Sequence, residues 1–182
     1  FNSNEHLFML SPVRGHKIPV LENVRTLKTG LGRLWSAIAL SLQMYRAEKI
    51  ILHGLFNFGL LLLLAAQPWL LTKCYWCIWG GDLYDFQSSE KDIKWEIRNF
   101  LKYQVIPRIG HLVTYIPQDI EKAIEWYGAT GTFHECIGHQ SNLYQNPRVT
   151  RGNDGAINIL IGNSATSSNN HACILQSLAQ FK

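Results

Sequence analysis

The residues best suited to chemistry follow an apolar segment at residues 74–84, whose sequence is CYWCIWGGDLY. The apolar, aromatic first part predicts a buried strand. Gly80 and Gly81 let the backbone turn sharply and let a ligand approach it closely. Asp82 and Tyr84 then stand beyond the carboxyl end of the strand, where open α/β sheets bind their ligands. A carboxylate in such a place can orient or deprotonate a hydroxyl group, so the segment predicts a site at a strand end.

Strand and helix patterns alternate along the first 137 residues. Short apolar runs predict strands, and apolar residues three or four positions apart predict helices. The predicted strands cover residues 7–10, 49–53, 74–79, 111–114 and 132–137, and the predicted helices cover residues 32–47, 57–67, 89–103 and 117–127. This alternation predicts an α/β fold, a Rossmann-like parallel sheet with flanking helices and right-handed crossovers.

Two of the predicted helices have a distinct apolar face. The helix over residues 32–47 is amphipathic, and its apolar residues are Leu34, Trp35, Ile38, Leu42 and Tyr45. The helix over residues 89–103 is predicted to begin at a cap formed by Ser88 or Ser89. Its apolar face consists of Ile93, Ile97, Phe100 and Leu101.

The composition is that of a globular protein, and its charge is unevenly placed. The 182 residues are 47% hydrophobic and 16% charged, which excludes a disordered chain. Residues 1–50 carry seven Lys or Arg and three Glu, and they account for the net charge of +4 because the remaining ten bases and ten acids cancel. This segment suits anionic lipid head groups or a pyrophosphate, or is a solvated helix face. No nucleic-acid-binding motif accompanies the bases, so nucleic acid is not an expected partner.

Cysteine and histidine spacings predict neither a disulfide framework nor a metal site. Cys74 and Cys77 lie three apart on a predicted strand and point to opposite faces, so reduced, buried thiols are expected. His134 and His139 are one position too far apart for the HExxH motif, which leaves a metal hydrolase as the weaker alternative. No metal or other cofactor is expected. Residues 58–66 are apolar but shorter than the roughly 20 residues that span a bilayer.

A polar stretch separates the alternating part from a second strand and helix. The predicted boundaries are residues 1–140 for the first domain, 141–155 for a linker, and 156–182 for the first strand and helix of a second domain. The glycine-containing polar loop between that strand and helix has the form of a βα turn whose amides and hydroxyls face an anion. A plain surface loop is the alternative. The lysine of a P-loop is absent, so a Walker nucleotide site is not expected.

Three sequence blocks together resemble one enzyme family. They are HGLFN at residues 53–57, WCIWGGDLY at 76–84, and ILIGNS at 159–164 followed by SNNH at 168–171. In order and spacing they resemble glycosyltransferase family 56, the TDP-N-acetylfucosamine:lipid II N-acetylfucosaminyltransferases, also called 4-alpha-L-fucosyltransferases. Three blocks are more specific than any single glycine motif.

The resemblance implies a GT-B enzyme, in which two Rossmann-like domains face a cleft and no metal is needed. The implied reaction moves 4-acetamido-4,6-dideoxygalactose from a TDP-sugar donor to an undecaprenyl-pyrophosphate-linked disaccharide, lipid II. This step belongs to enterobacterial common antigen biosynthesis, and it implies a peripheral protein at the cytoplasmic face of the bacterial inner membrane. The chain would be the N-terminal, acceptor-side part of such an enzyme, truncated within its donor-side domain and inactive alone.

The resemblance also assigns roles to individual residues. Asp82 is expected to orient or deprotonate the acceptor hydroxyl, or else to cap a turn. His53 is expected to share the catalytic task, or else to be a core histidine. The expected acceptor-binding residues are Asn57, Trp79, Gly80, Gly81 and Tyr84, although Asn57 would serve equally as a helix cap. The expected donor-binding residues are Gly162, Asn163, Ser164, Asn169 and His171.

A function without catalysis is the competing hypothesis. The basic residues 1–50 and the apolar residues 58–66 are also typical of a membrane-surface or sugar-binding module. Vesicle binding in the absence of any sugar nucleotide would distinguish such a module from a soluble transferase domain.

Overall fold

The computed structural model describes residues 5–11, 21–27, 32–88, 91–136 and 171–180. The chain divides into two compact units, Phe1–Leu143 and Tyr144–Lys182. In the second unit the described residues include a helix, α6, at His171–Leu178. The linker and domain boundaries expected from the sequence stay a prediction.

The first unit contains the sheet and the helices that flank it. Its strands are β1 (Phe8–Leu10), β2 (Val24–Thr26), β3 (Ile50–His53), β4 (Cys74–Cys77), β5 (His111–Thr114) and β6 (Thr132–Glu135). Its helices are α1 (Arg33–Arg46), α2 (Phe58–Ala66), α3 (Gly81–Tyr84), α4 (Ile93–Val105) and α5 (Pro117–Tyr127). Short 3-10 helices lie at Pro68–Lys73, Asp85–Gln87 and Ile106–Arg108. The described ranges thus confirm an α/β fold with parallel strands and flanking helices.

Strands β3 to β6 form one parallel sheet in their order along the chain, and β1 pairs with β2 in a separate parallel pair. The register aligns Ile51 with Tyr75 and Tyr75 with His111. Each crossover steps to the next strand in the same direction. Because such crossovers are right-handed, the three connecting helices α2, α4 and α5 come to the same face of the sheet. All four strands therefore end at one edge, which we call the carboxyl edge.

The core lies between that face and the connecting helices. Every second residue along the strands is buried there, namely Ile50, Leu52, Cys74, Trp76 and Leu112. They form one apolar cluster with the helix residues Leu61, Leu64, Leu101, Val105 and Ala123. The opposite face of the sheet is more open, since Ile51 is exposed and the rings of Tyr75 and His111 stack on each other half-buried.

The two apolar helix faces singled out in the sequence do not face the core. Helix α4 begins at Ile93, later than expected, because the Asp92 carboxylate rather than a serine caps it by accepting from the Trp95 amide. Its buried residues are Trp95, Leu101, Lys102 and Val105, whereas Ile93, Ile97 and Phe100 are exposed. The predicted start was wrong, and so was the predicted face apart from Leu101. On α1 the five apolar residues named above are all exposed as well.

Candidate functional site

Two glycine turns return the chain to the carboxyl edge after β3 and β4. Gly54 and Gly80 have φ angles of 79° and 78°, which only glycine adopts readily. A Cβ atom on Gly54 would collide with the Phe56 ring and would lie 3.3 Å from Trp79 Cδ1. At Gly81 a Cβ atom would lie 3.4 Å from the same Phe56 ring. The glycines therefore allow aromatic rings to lie directly on the backbone of both loops.

Asp82 fastens these two loops to each other. Its Oδ2 accepts hydrogen bonds from the Leu55 amide at 2.9 Å and from the Trp76 indole at 2.7 Å. Its Oδ1 accepts from the Trp79 amide at 3.0 Å. The residue is 1% exposed. A carboxylate that is buried and already accepts three hydrogen bonds acts first by positioning the loops, and its expected direct contact with a hydroxyl group stays a prediction.

The fastened loops present exposed aromatic rings. We call Phe56, Trp79 and Tyr84 the aromatic rim; they are 55%, 45% and 40% exposed. Exposed aromatic faces beside a polar pocket are suited to stacking on a ring-shaped polar ligand. His53, at the end of β3, is exposed, and its ring centroid lies 6.3 Å from that of Trp79. Of the expected site residues, His53, Trp79, Gly80, Gly81, Asp82 and Tyr84 thus lie on neighbouring loops at this edge.

A second buried carboxylate fastens the rim to the next strand. Asp119, in the first turn of α5, is 2% exposed. Its Oδ1 accepts from the Tyr84 hydroxyl at 3.0 Å, and its Oδ2 accepts from the Thr114 hydroxyl at 3.1 Å. Partial burial and the hydrogen bond to this carboxylate raise the pKa of Tyr84. Tyr84 is therefore held as a neutral phenol with its ring at the surface.

Replacing Tyr84 with phenylalanine is expected to lower the free energy of unfolding by about 1 kcal/mol, because Asp119 Oδ1 loses its donor. Urea unfolding of the variant and the parent measures the difference. Tyr115→Phe is the matched control, since Tyr115 is also exposed and belongs to the adjoining loop. Equal losses in the two variants would contradict the fastening role.

A small pocket opens beside the rim. Its volume is about 70 Å³, and it is lined by Leu55, Phe56, Gly81, Asp82, Asp85, Arg98 and Lys102. Asp85 Oδ2 accepts from Arg98 at 2.9 Å and from Lys102 Nζ at 3.3 Å. Lys102 also donates to the Asp82 carbonyl at 2.6 Å, and its burial lowers its pKa against the opposing effect of Asp85. Cations and carboxylates in this pocket can hydrogen-bond the hydroxyl or phosphate groups of a ligand.

The remaining expected site residues are placed differently or lie outside the described ranges. Asn57 caps α2, since its Oδ1 accepts from the Leu60 amide at 3.1 Å, and its Nδ2 lies 3.4 Å from the Ser11 hydroxyl. His171 is the first residue of α6. The other four expected donor-binding residues, Gly162, Asn163, Ser164 and Asn169, lie outside the described residues.

Two alternatives from the sequence can be compared with the structure. No group of three or more His, Cys, Asp or Glu side chains within the described residues could hold a metal ion. His134 instead contacts His111, with 2.9 Å between Nε2 and Nδ1, while His139 falls outside the described residues. In the same described ranges, no helix combines the length and hydropathy needed to cross a membrane.

Sequence reasoning missed the polar residues that complete the site, namely Asp85, Arg98, Lys102, Thr114 and Asp119. The sequence did contain a pattern that could have indicated Asp119, because this residue follows a predicted strand at the start of a helix, as Asp82 does. The side chains of Asp85, Arg98 and Lys102 meet only through the packing of α4 on the loop after β4, for which the sequence offers no local pattern.

Comparison with known proteins identifies the family of the chain. No solved structure matches the chain. A family model described as 4-alpha-L-fucosyltransferase, glycosyl transferase group 56, matches residues 11–181. Since this match covers nearly all of the sequence, the chain belongs to the 4-alpha-L-fucosyltransferase family, glycosyltransferase group 56.

Proposed function

We propose that the protein transfers 4-acetamido-4,6-dideoxygalactose from a TDP-sugar to an undecaprenyl-pyrophosphate-linked disaccharide. The reaction would serve enterobacterial common antigen assembly at the cytoplasmic face of the inner membrane. Membership of a glycosyltransferase family supports sugar transfer in general. The observation that carries the site assignment is the exposed aromatic rim, held at the carboxyl edge by two buried carboxylates.

The first unit takes the acceptor side in this proposal. The sugar rings of the acceptor would stack on Trp79 and Tyr84, which are exposed and rigidly attached to the loop after β4. The adjoining pocket offers the partly exposed Arg98 and Asp85 to the acceptor's polar groups, while the buried Lys102 holds Asp85 in place. Fixed aromatic and charged groups bind with little loss of conformational entropy, so these loops are preorganised for a large ligand.

The donor side would belong to the second unit. We assign the donor's diphosphate to residues 162–171, which the sequence predicts to form a polar loop before a helix. The candidate ligands are Gly162, Asn163, Ser164, Asn169 and His171. A loop between a strand and the start of a helix favours a bound anion.

The transfer step forms one bond and breaks another at the donor's anomeric carbon. The acceptor hydroxyl oxygen attacks that carbon, the bond to the diphosphate oxygen breaks, and TDP leaves with the bonding electron pair. The proton of the hydroxyl passes to a base on the protein. We assign the base to His53, because its exposed ring stands at the carboxyl edge beside Trp79. Asp82 then acts as a positioning residue for the loop that carries Trp79.

The experiment that tests this function is transfer of labelled sugar from the TDP-linked donor into the lipid-linked acceptor. It is run on this chain and on a version extended through a complete second domain. We expect transfer only with the lipid-linked disaccharide present. Acceptor binding without transfer by either protein would overturn the assignment in favour of a sugar-binding module.

A further inference from the structure

Helix α1 has two apolar sides, and only one of them is packed. Met44 is buried in the core, and Leu40 is partly buried against it. The other side is what we call the outer stripe, whose residues are between 45% and 74% exposed. The outer stripe consists of Leu34, Trp35, Ile38, Leu42 and Tyr45. A helix stripe of this kind normally packs against a core, so the exposed outer stripe is a candidate binding surface.

The five side chains of the outer stripe are contiguous. At 100° per residue they cover an arc of roughly 100°, and at 1.5 Å per residue they extend over roughly 16 Å of the helix. Trp35 and Tyr45 lie near its two ends. Soluble monomers rarely expose an apolar patch this continuous without a binding role. An apolar arc that contains Leu, Ile, Trp and Tyr side chains is typical of helices that lie in a lipid interface.

The charges around the outer stripe favour an anionic partner. Helix α1 contains two arginines, Arg33 and Arg46, and no acidic residue. Lys73 lies beside its last turn, where its Nζ donates to the carbonyls of Tyr45 at 2.8 Å and Ala47 at 2.6 Å. Glu48 is an acid just beyond this end of the helix, and Lys49 after it lies over the Tyr75 ring of β4, with Nζ 6.0 Å from the ring centroid. A second copy of the chain would bring cations against cations at this surface, whereas anionic head groups would complement them.

Exposed apolar residues on α4 do not share these features. Ile93, Ile97 and Phe100 lie on one side of that helix, but Glu96 stands within the same stretch and the three include neither Trp nor Tyr. They cover a narrower arc, roughly 60° by the same geometry. A wide apolar arc, exposed Trp and Tyr side chains within that arc, and the absence of acidic residues from the helix are therefore combined in α1 but not in α4.

We propose that the outer stripe of α1 docks in the interface of an anionic lipid bilayer, with its apolar arc facing the bilayer. This inference deepens the proposed function and rests on it for the choice of a lipid surface, since its acceptor is lipid-linked. Docking through α1 places the protein on the membrane that holds the acceptor. The apolar contact is reinforced by Arg46 and Lys73 against anionic head groups.

The test is sedimentation of the protein with vesicles of phosphatidylcholine alone or mixed with phosphatidylglycerol, without sugar nucleotide. We expect binding to the mixed vesicles that weakens in high salt. Trp35→Ser should reduce the partition coefficient by about tenfold, because one large interfacial side chain is lost. Trp69→Ser is the matched control, since Trp69 is 61% exposed outside α1. Thermal unfolding of both variants is measured to check that they remain folded.

Other outcomes would overturn the proposal. These are an absence of binding to mixed vesicles, equal binding by Trp35→Ser and the parent, or a dimer in analytical ultracentrifugation that Trp35→Ser dissociates. Failure of the proposed function can be distinguished from failure of the docking proposal. An extended protein that binds vesicles through Trp35 but transfers no sugar would overturn the reaction alone. With a short-chain, water-soluble acceptor, Trp35→Ser should keep the parent rate.

Discussion

Replacing Asp82 with alanine is expected to lower the free energy of unfolding of the first unit by about 3 to 4 kcal/mol. The carboxylate accepts from the Leu55 amide, the Trp76 indole and the Trp79 amide, and the variant leaves these donors without their acceptor. Each buried donor left unsatisfied costs about 1 to 3 kcal/mol, and the costs are not fully additive. Urea unfolding followed by tryptophan fluorescence measures the loss.

A control variant at Glu121 and a second variant of Asp82 distinguish a structural role of Asp82 from a catalytic one. Glu121→Gln, on an exposed acid of α5, should change stability by less than about 0.5 kcal/mol. Asp82→Asn retains one oxygen acceptor but brings an amide group toward a donor, so it should also be destabilised. If Asp82→Asn were as stable as the parent while its turnover fell, Asp82 would have a direct catalytic role and our positioning assignment would be wrong.

Replacing His53 with asparagine is expected to lower kcat of the extended enzyme by roughly 10² to 10⁴-fold, the range that general acid–base catalysis supplies. His53 is exposed at the end of β3, so its removal should leave the fold and the free energy of unfolding nearly unchanged. Steady-state transfer rates at saturating donor and acceptor, together with urea unfolding, measure both quantities.

The split between kcat and KM gives this prediction its specificity. Loss of the base should lower kcat and leave KM for the acceptor nearly unchanged, whereas a structural disturbance of the site would change both. His6→Asn, a replacement of another exposed histidine, is the control. An unchanged kcat in His53→Asn would reject His53 as the base.

The parallel sheet was predictable because its strands are short apolar runs separated by helices with clear end signals. Pro117 and Gly128 mark the two ends of α5 as the sequence predicts, and Gly128 adopts the left-handed conformation with φ of 68°. The strand-end position of Asp82 and Tyr84 was also predictable, since it follows from the apolar run that precedes the glycines. Local patterns determine these features, and local patterns are what a sequence displays.

The failures are tertiary in origin. Helix α4 carries apolar residues on more than one side, and the side that packs is chosen by Trp95, whose indole donates to the Asp85 carbonyl at 2.8 Å. Periodicity could not choose between these sides. The burial of Asp82 could not be read from the sequence, because the Trp76 indole that donates to it lies on the preceding strand, within the core. The same applies to Arg98 and Lys102, which reach Asp85 only after α4 has packed.

The most direct test of the central claim, that the carboxyl edge binds the acceptor, is the effect of Trp79→Ala on the two Michaelis constants of the extended enzyme. We predict that KM for the lipid-linked acceptor rises about tenfold, because a stacking platform is lost, while KM for the TDP-sugar stays unchanged. Trp69→Ala, which removes an exposed tryptophan that precedes β4, should change neither constant. A rise in KM for the TDP-sugar alone, or no change in either constant, would contradict the account.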